Sequence, residues 1–465
     1  MTAGFLRKKY PKFIFENFSY KISKEDLEIF FDFKIPPDIE FRPKLTIKNV
    51  EKARIKKIRK KVFNNLIFHL GLIELLSYWK TTCSPEIEIK SGKLNENQIK
   101  WWKNLIINGM GQFFYKNRIN WTSRNFLILK SKPAEDGPPQ TYKKRLKEEI
   151  LIPIGGGKDS IVTLELLKNS GFPIKCFSLN PTETTKKVME VGKCQNPIIV
   201  KREIDSNLYK LNQRGFLNGH TPFSAYLAFL STLLGVVFNK KYIAFSNERS
   251  SNEGNLKYLG KEINHQYSKS FDFEQKFRKY SKKYLSKDIE YFSFLRPLYE
   301  IQIARLFSHY PNYFDAFLSC NEAYRTHSGT KTPIKQWCGK CPKCLFVFTC
   351  LYPFIEKKDI IRIFKENLFQ KKELTYLMKE LIGVEKFKPF ECVGTKKESL
   401  IAFYLSWKKN KKETKRIPYL LRYFEKNILP KYTKLERKSK RLLNSWNKNH
   451  NLSPVFTKIL KKALK

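Results

Sequence analysis

Three consecutive glycines, Gly155, Gly156 and Gly157, stand between an apolar run ending at Ile154 and the segment Lys158-Asp159-Ser160, which opens a helical pattern. Residues without a Cβ let successive backbone N–H groups turn inward, and the positive end of the following helix adds to the hollow, so this corner suits phosphate. The spacing matches neither common glycine fingerprint. A Walker loop needs a longer stretch before its Lys-Ser/Thr pair, and the dinucleotide motif needs G-x-G-x-x-G. The second signal is Cys338, Cys341 and Cys344 at C-x-x-C-x-x-C spacing, with Cys320 upstream. Four thiolates so placed close a tetrahedral structural zinc site, with His327 an alternative ligand; the same thiolates also suit an iron–sulfur cluster.

Further polar clusters are LNGHTP (Asn218, His220), FSNERSS (Asn247, Glu248, Arg249), INHQYSKSFDFEQ (Asn264, His265, Gln266) and FLRPL (Arg296). They put two histidines, a carboxylate beside an arginine and several amides on connections that follow strands, where a binding site would lie. His220 and His265 titrate near neutrality when unperturbed, as a general base requires, and Cys392 in FECVG lies outside the zinc cluster, where it can serve as a thiolate. His69, inside an apolar helical run, reads as a core histidine.

The elements that must position these residues follow from periodicity. Glu149–Ile154 is a buried strand, Ser160–Asn169 a helix closed by Gly171, and IKCFSLN, NPIIVKREI and KYIAFSN are further strands separated by helical segments, one of them starting at Thr221-Pro222 with Thr221 as its cap. This is the pattern of a parallel sheet with helices on both faces, whose ligands gather at the carboxyl ends of the strands: Gly155–Ser160, Ser178–Asn180 and Ser246–Arg249. Before it, KFIFENFSYKISKEDLEIFFDFKI reads as a β-hairpin turning at SKED, followed by helices over Val50–Trp79 and Glu96–Tyr115. The Pro-rich segment Ser131–Lys144 marks a boundary. Three regions are expected: an α+β domain over 1–145, an α/β nucleotide-binding domain with the four-cysteine site over 146–352, and a helical basic region over 353–465.

Lys and Arg outnumber Asp and Glu by 90 to 43 in 465 residues, for a formal charge of +47. That excess favours anionic partners, but Lys, Asn, Ile, Phe and Tyr are all abundant, as AT-rich coding imposes on any protein, and the charge is spread along the chain. From Ile401 to Lys465 there are nineteen Lys/Arg against three Glu, a basic helical tail suited to capping the fold or to weak contact with an anionic surface. No stable nucleic-acid or membrane partner is expected. The amino terminus lacks a signal-peptide core, the longest apolar run (Ala225–Phe238) is too short to span a bilayer, and the cysteine spacing points to a metal site and not a disulfide framework, so the reading is cytoplasmic.

GGGKDS resembles the loop of the N-type ATP pyrophosphatases (PP-loop, HUP-like fold), usually S-G-G-x-D-S; Gly156, Gly157, Asp159 and Ser160 match, and Gly155 replaces the first Ser. Cyanodeazaguanine synthases carry a similar four-cysteine cluster behind such a loop, so an RNA- or deazapurine-modifying enzyme is the alternative reading. Taken in order, IGGGKDS, NGHTP, FSNERSS, INHQYSKSF, SFLRPL, SCN, WCGKCPKC and KPFECVG resemble the UDP-N-acetylmuramoyl-L-alanyl-L-glutamate epimerase family, MurL, from about Ile154 to Ser399. One departure is Thr395 followed by two lysines, where an acidic residue is expected. The resemblance implies ATP-dependent inversion of the terminal L-Glu of UDP-MurNAc-L-Ala-L-Glu, with AMP and diphosphate as products. It implies ATP and Mg²⁺ at Gly155, Gly156, Gly157, Lys158, Asp159, Ser160, Ser178, Asn247 and Glu248, with Asp159 as the metal partner. Substrate would be held by Asn218, Arg249, Asn264, Gln266 and Arg296, and acid–base chemistry would fall to His220, His265 and Cys392. Cys320, Cys338, Cys341 and Cys344 would hold zinc, and a ligase that adds L-Glu to the precursor would be the functional companion.

Overall fold

The computed structural model describes residues 1–23, 25–131, 140–324, 334–385 and 387–465 in full, and the backbone of Lys132. Among them the strands are β1 (Lys12–Ser23), β2 (Asp26–Ile35), β3 (Ile39–Phe41), β4 (Lys44–Ile47), β5 (Glu86–Lys93), β6 (Ile128–Lys132), β7 (Lys147–Pro153), β8 (Ile174–Leu179), β9 (Ile198–Glu203), β10 (Lys240–Phe245), β11 (Leu256–Tyr258), β12 (Lys261–Ile263) and β13 (Glu290–Ser293). All but the small β11–β12 hairpin belong to one mixed sheet ordered β13-β10-β7-β8-β9-β4-β2-β1-β5-β6, with β3 on β2.

Strands β13, β10, β7, β8 and β9 are mutually parallel. Numbered among themselves they run 5-4-1-2-3, so the chain reverses its direction of travel between β7 and β10. Connections there leave to opposite sides and open a crevice at the strands' carboxyl ends, where the glycine corner sits. Strand β7 shows why both faces are covered. Ile150 and Ile152 point into a core shared with the helix Lys158–Lys168, whereas Leu151 between them points into a core shared with the helix Phe223–Val237. A strand buried on both sides reads as a continuous apolar run, which is how ILI appears in the sequence.

The expected hairpin is present, with β1 paired antiparallel to β2 from Ser23↔Asp26 onward. The run Val50–Trp79 is broken into helices Lys52–Lys56, Lys60–Glu74 and Leu76–Trp79, and His69 is a buried core residue between Asn65 O (2.8 Å) and Tyr280 Oη (2.9 Å). The helix expected at Thr221 starts one residue later, with Pro222 as its flanking residue and no side-chain cap, because Pro222 has left the helical region at ψ 72°. Strand β4 pairs with β9, so the ladder runs continuously between residues 1–145 and the parallel sheet. Part of the Pro-rich boundary segment lies outside the described residues.

The basic carboxyl-terminal region is docked. Phe456, on the helix Pro454–Ala463, packs on Phe292 of β13 with ring centroids 4.7 Å apart and also meets Tyr242 and Phe172. Gln302 ties the preceding loop down through the carbonyls of Leu443 and Ser445. Cys176 on β8 and Cys194 are joined by a disulfide, a single link where the spacing had suggested none. No helix among the described residues is long and apolar enough to cross a membrane.

Candidate active site

The chain leaves β7 at Pro153 and enters the helix Lys158–Lys168 through the three glycines. Gly156 has φ +88°, a region in which a Cβ is strained, and a Cβ there would also stand 2.6 Å from Tyr324 Oη and 3.1 Å from Thr185 Oγ1. The corner is braced from the segment after the last parallel strand, since Leu318 N donates to Gly156 O at 3.0 Å. Ser160 lies one turn into the helix and donates to Gly157 O at 2.9 Å.

This corner is one wall of a cavity of about 290 Å³, onto which Gly155, Gly157, Asp159, Ser160, Asn247, Glu248, Lys269, Lys343 and Cys392 open. Lys158 points below it. Its buried ammonium contacts Asp159 and Glu300, and Lys343 Nζ lies 3.5 Å from Glu300. Burial opposes the charge on both Lys158 and Glu300. The Asp159 and Glu300 carboxylates nevertheless hold Lys158 protonated, and Lys158 and Lys343 hold Glu300 below the ordinary carboxylate range. Glu248 is pushed up by burial and the Glu300 charge, which outweigh the opposing charges of Lys269 and Lys343. One oxygen each of Asp159, Glu248 and Glu300 lies within 4.8 Å of the others. Because Glu300 is already engaged by two lysines, Asp159 and Glu248 are the carboxylates open to a cation arriving with phosphates. That fits Mg²⁺, which takes one or two carboxylates and keeps phosphate and water ligands.

Also lining this cavity, Lys269 Nζ is 3.3 Å from Cys392 Sγ. Burial again works against the lysine's charge, but Cys392 and Glu248 outweigh it, and Lys269 is raised above its usual value. Lys343 donates to the Cys392 carbonyl, and its own N–H donates to Glu391 at 2.8 Å. Lys343 sits between Cys341 and Cys344, so the cysteine cluster fixes the loop that carries Cys392. The cluster itself is closed: Cys341 Sγ–Cys344 Sγ is 3.5 Å, Cys338 Sγ–Cys344 Sγ is 3.7 Å, and all four sulfurs lie within 4.8 Å of one another. Sulfurs around one zinc at about 2.3 Å would be separated by about 3.8 Å, so the set fits a single ion. His327 lies outside the described residues.

His220 and His265 are together, ring centroids 4.3 Å apart, with His265 Nδ1 2.5 Å from Gln112 Oε1. They line a second cavity of about 780 Å³, and Tyr324 borders both cavities. Burial, followed by the charge of Lys269, lowers His265 to about 3; burial and then His265 itself lower His220 well below its usual value. Both imidazoles are therefore neutral near pH 7. Asn218 lines this second cavity as well.

Other expected contacts are placed differently. Ser178 is buried behind the corner and donates to Ile154 O. Arg296 is fully buried with all five N–H groups engaged: Nε and Nη2 on Glu274, Nη1 on Glu248 O and Ser251 Oγ, Nη2 also on Lys269 O and Ser293 Oγ. With its N–H groups so engaged, it holds the adjacent backbones of Glu248 and Lys269, both of which line the cavity. Asn264 accepts from Gln266 N and donates to Ser251 O, closing a turn, and Gln266 reaches Val393 O at 3.5 Å. Arg249 stacks over Tyr299 at 4.4 Å and lines a separate cavity on the far side of its short 3₁₀ turn. Thr395 caps the helix Lys396–Glu413 in a capping box with Glu398, so the acid missing after FECVG stands three residues further on. Sequence reasoning passed over Lys269, Glu300, Lys343 and Tyr324. The first and third lie within the quoted motifs INHQYSKSFDFEQ and WCGKCPKC but were not singled out there.

Residues 5–294 match the MurL N-terminal domain and residues 316–435 the MurL C-terminal domain. Three relatives bear the name UDP-N-acetyl-alpha-D-muramoyl-L-alanyl-L-glutamate epimerase. That of Xanthomonas oryzae pv. oryzae is 32% identical over 347 residues, 73% of this chain and 75% of the relative. That of a Micromonospora species is 33% identical over 336 residues, 72% of this chain and 73% of the relative. That of Salinispora tropica is 34% identical over 336 residues, 72% of each. With both domains matched in order across the residues that build the two cavities, the chain belongs to the MurL family.

Proposed function

We propose that this protein inverts the terminal L-Glu of UDP-MurNAc-L-Ala-L-Glu to D-Glu in an ATP-dependent reaction of the PP-loop type, releasing AMP and diphosphate. The observation that carries the reading is that the glycine corner with Asp159 and the Lys269–Cys392 pair face one cavity. A group that holds phosphate and a group that can move a proton thus meet on the same ligand.

The chemistry follows from charge. Removing the Cα proton beside a free carboxylate would build a dianion. Attack of a carboxylate oxygen on the α-phosphorus of ATP, with diphosphate leaving, forms an acyl adenylate and cancels that charge. Backbone N–H groups of Gly155–Gly157 and the start of the helix Lys158–Lys168 would hold the departing phosphates. Mg²⁺, held by Asp159 and Glu248, would neutralise phosphate charge. Cys392, next to the cationic Lys269, would take the Cα proton on one face; the neutral His220–His265 pair stores no proton of its own, so the proton for the other face would come from solvent, the pair serving as a relay that takes up one proton at a ring nitrogen as it gives one from another. Water then attacks the acyl carbon and releases AMP. The four-cysteine site would hold a structural zinc that keeps Lys343 against the Cys392 loop. The protein would work in the cytoplasm beside a ligase that supplies the L-Glu precursor.

The test is diphosphate release from ATP and Mg²⁺ in the presence of UDP-MurNAc-L-Ala-L-Glu, the D-Glu isomer or bulk tRNA. Release triggered by the L-Glu substrate, accompanied by D-Glu in the product and lost in Asp159→Ala, supports the proposal. Release triggered by tRNA alone overturns it.

A further inference from the structure

We infer that the 780 Å³ cavity beside the glycine corner seats the uridine diphosphate of the substrate, with Lys80 and Arg202 on the diphosphate and Phe223 against the base. The assignment rests on the proposed epimerase reading for which end of the substrate lies where.

The cavity is lined by Lys80, Arg202 and the histidine pair, and no Asp or Glu is among its lining residues. A concave, cationic surface without carboxylates concentrates field on a polyanion. Lys80 and Arg202 are both only partly engaged. Glu74 and Ser77 take Nε and Nη2 of Arg202, leaving Nη1 with no protein acceptor among the described residues. Lys80 Nζ donates to Gly219 O at 3.1 Å and has two further N–H groups. Asn212 Oδ1 and His220 Nε2 are buried without a hydrogen-bond partner among the described residues, a cost that a ligand's N–H or O–H would remove. Phe223 is 46% exposed, an unusual state for a phenyl ring but one that offers a stacking face.

The position is right for a long substrate. The reacting glutamate must reach Asp159 and Cys392 in the smaller cavity, and Tyr324 borders both cavities, so a ligand passing it spans from one to the other. The larger volume lies within the range of about 300–1,000 Å³ found for ligand sites.

The experiment titrates UDP into the full-length protein saturated with a non-hydrolysable ATP analogue, using wild type, Lys80→Met, Lys80→Arg and the surface variant Phe223→Ala. We expect binding by wild type, at least tenfold weaker binding by Lys80→Met, recovery in Lys80→Arg, and several-fold weaker binding by Phe223→Ala. The KM for UDP-MurNAc-L-Ala-L-Glu should rise with the UDP dissociation constant, while affinity for the ATP analogue stays unchanged. No UDP binding, displacement of UDP by the ATP analogue, or wild-type affinity in Lys80→Met or Phe223→Ala overturns the assignment. UDP affinity reads the cavity and diphosphate release reads the reaction. Lys80-dependent UDP binding without substrate-triggered release would uphold the cavity and remove the reaction.

Discussion

Lys269 Nζ lies 3.3 Å from Cys392 Sγ, and both line the cavity onto which Asp159 opens. Lys269 is held charged by Cys392 and Glu248 against the effect of burial. Cys392→Ser should lower epimerisation by about 10²–10⁴-fold, the usual worth of a general base, while substrate-triggered diphosphate release continues. Lys269→Met should act in the same direction. The decisive measurement is incorporation of solvent deuterium at Cα: it should fall in step with epimerisation in both variants, and unchanged exchange in Cys392→Ser would remove the thiol from the mechanism.

Two adjacent glycines of the corner should respond differently to an added side chain. Gly156 has φ +88° and Tyr324 Oη would be 2.6 Å from its Cβ, so Gly156→Ala should cost about 1–3 kcal/mol and abolish ATP binding. Gly155 has open space around its Cβ position and faces the cavity. Gly155→Ser should therefore leave stability within about 0.5 kcal/mol and lower, or leave unchanged, the KM for ATP. Thermal unfolding and ATP titrations of the two variants check both statements.

How far the sequence could be read depended on whether geometry follows from spacing. Gly155–Gly157 after ILI, the period of the parallel strands and the C-x-x-C-x-x-C run are local, and their consequences are local. Arg249 and Arg296 show the limit. Each sits in a motif rich in polar residues, yet one turns away around a 3₁₀ turn and the other disappears beneath the cavity floor onto Glu274. Whether a polar side chain lines a cavity or supports it depends on its direction, which a residue type does not encode. Glu300 was missed for a related reason: it meets Lys158 only through packing of two helices far apart in the chain. The strands EIEIKSGK and EYFS were also passed over, being short or heavily charged, although β5 and β13 gain their order from neighbours in the sheet.

Opening the four-cysteine cluster should disable epimerisation at a distance. Lys343 lies between two cysteines of the cluster and donates to the Cys392 carbonyl, so opening the cluster frees the loop that carries the thiol. Cys338→Ser, or prolonged treatment with a strong chelator, should release about one equivalent of metal, lower the midpoint of thermal unfolding by several degrees and abolish epimerisation. Cys392→Ser should retain the full metal content, which separates loss of the ion from loss of the thiol.

His69 provides an acid-stability test independent of catalysis. Burial is the main cause that lowers it to about 4, despite the carbonyl of Asn65 at its Nδ1. An unfolded histidine titrates near 6.5, so between about pH 6.5 and 4 the unfolded chain binds the proton and the folded one does not. Stability contributed by the neutral ring is therefore complete above pH 6.5 and is lost as pH falls, by roughly 3 kcal/mol at pH 4. Denaturant unfolding of wild type and His69→Gln across this interval should show the smaller pH slope in the variant.

The alkaline side should be governed by Lys80. Burial, and then the neighbouring Arg202 charge, lower it to about 8. Of the other groups facing it, His220 is neutral throughout this interval, and Glu74 is screened by its bidentate pair with Arg202, so no carboxylate supports the ammonium. A bound diphosphate would supply that support and favour the charged form. Below pH 8 the lysine is already protonated and affinity for UDP should be flat. Above pH 8 a proton must be taken up with the ligand, and the dissociation constant should rise towards tenfold per pH unit. Lys80→Arg keeps its charge in this range, so its affinity should stay flat to at least pH 9.5. Isothermal titration in buffers of different ionisation enthalpy would count the proton directly: near one per UDP at pH 9 in wild type, and near zero in Lys80→Arg.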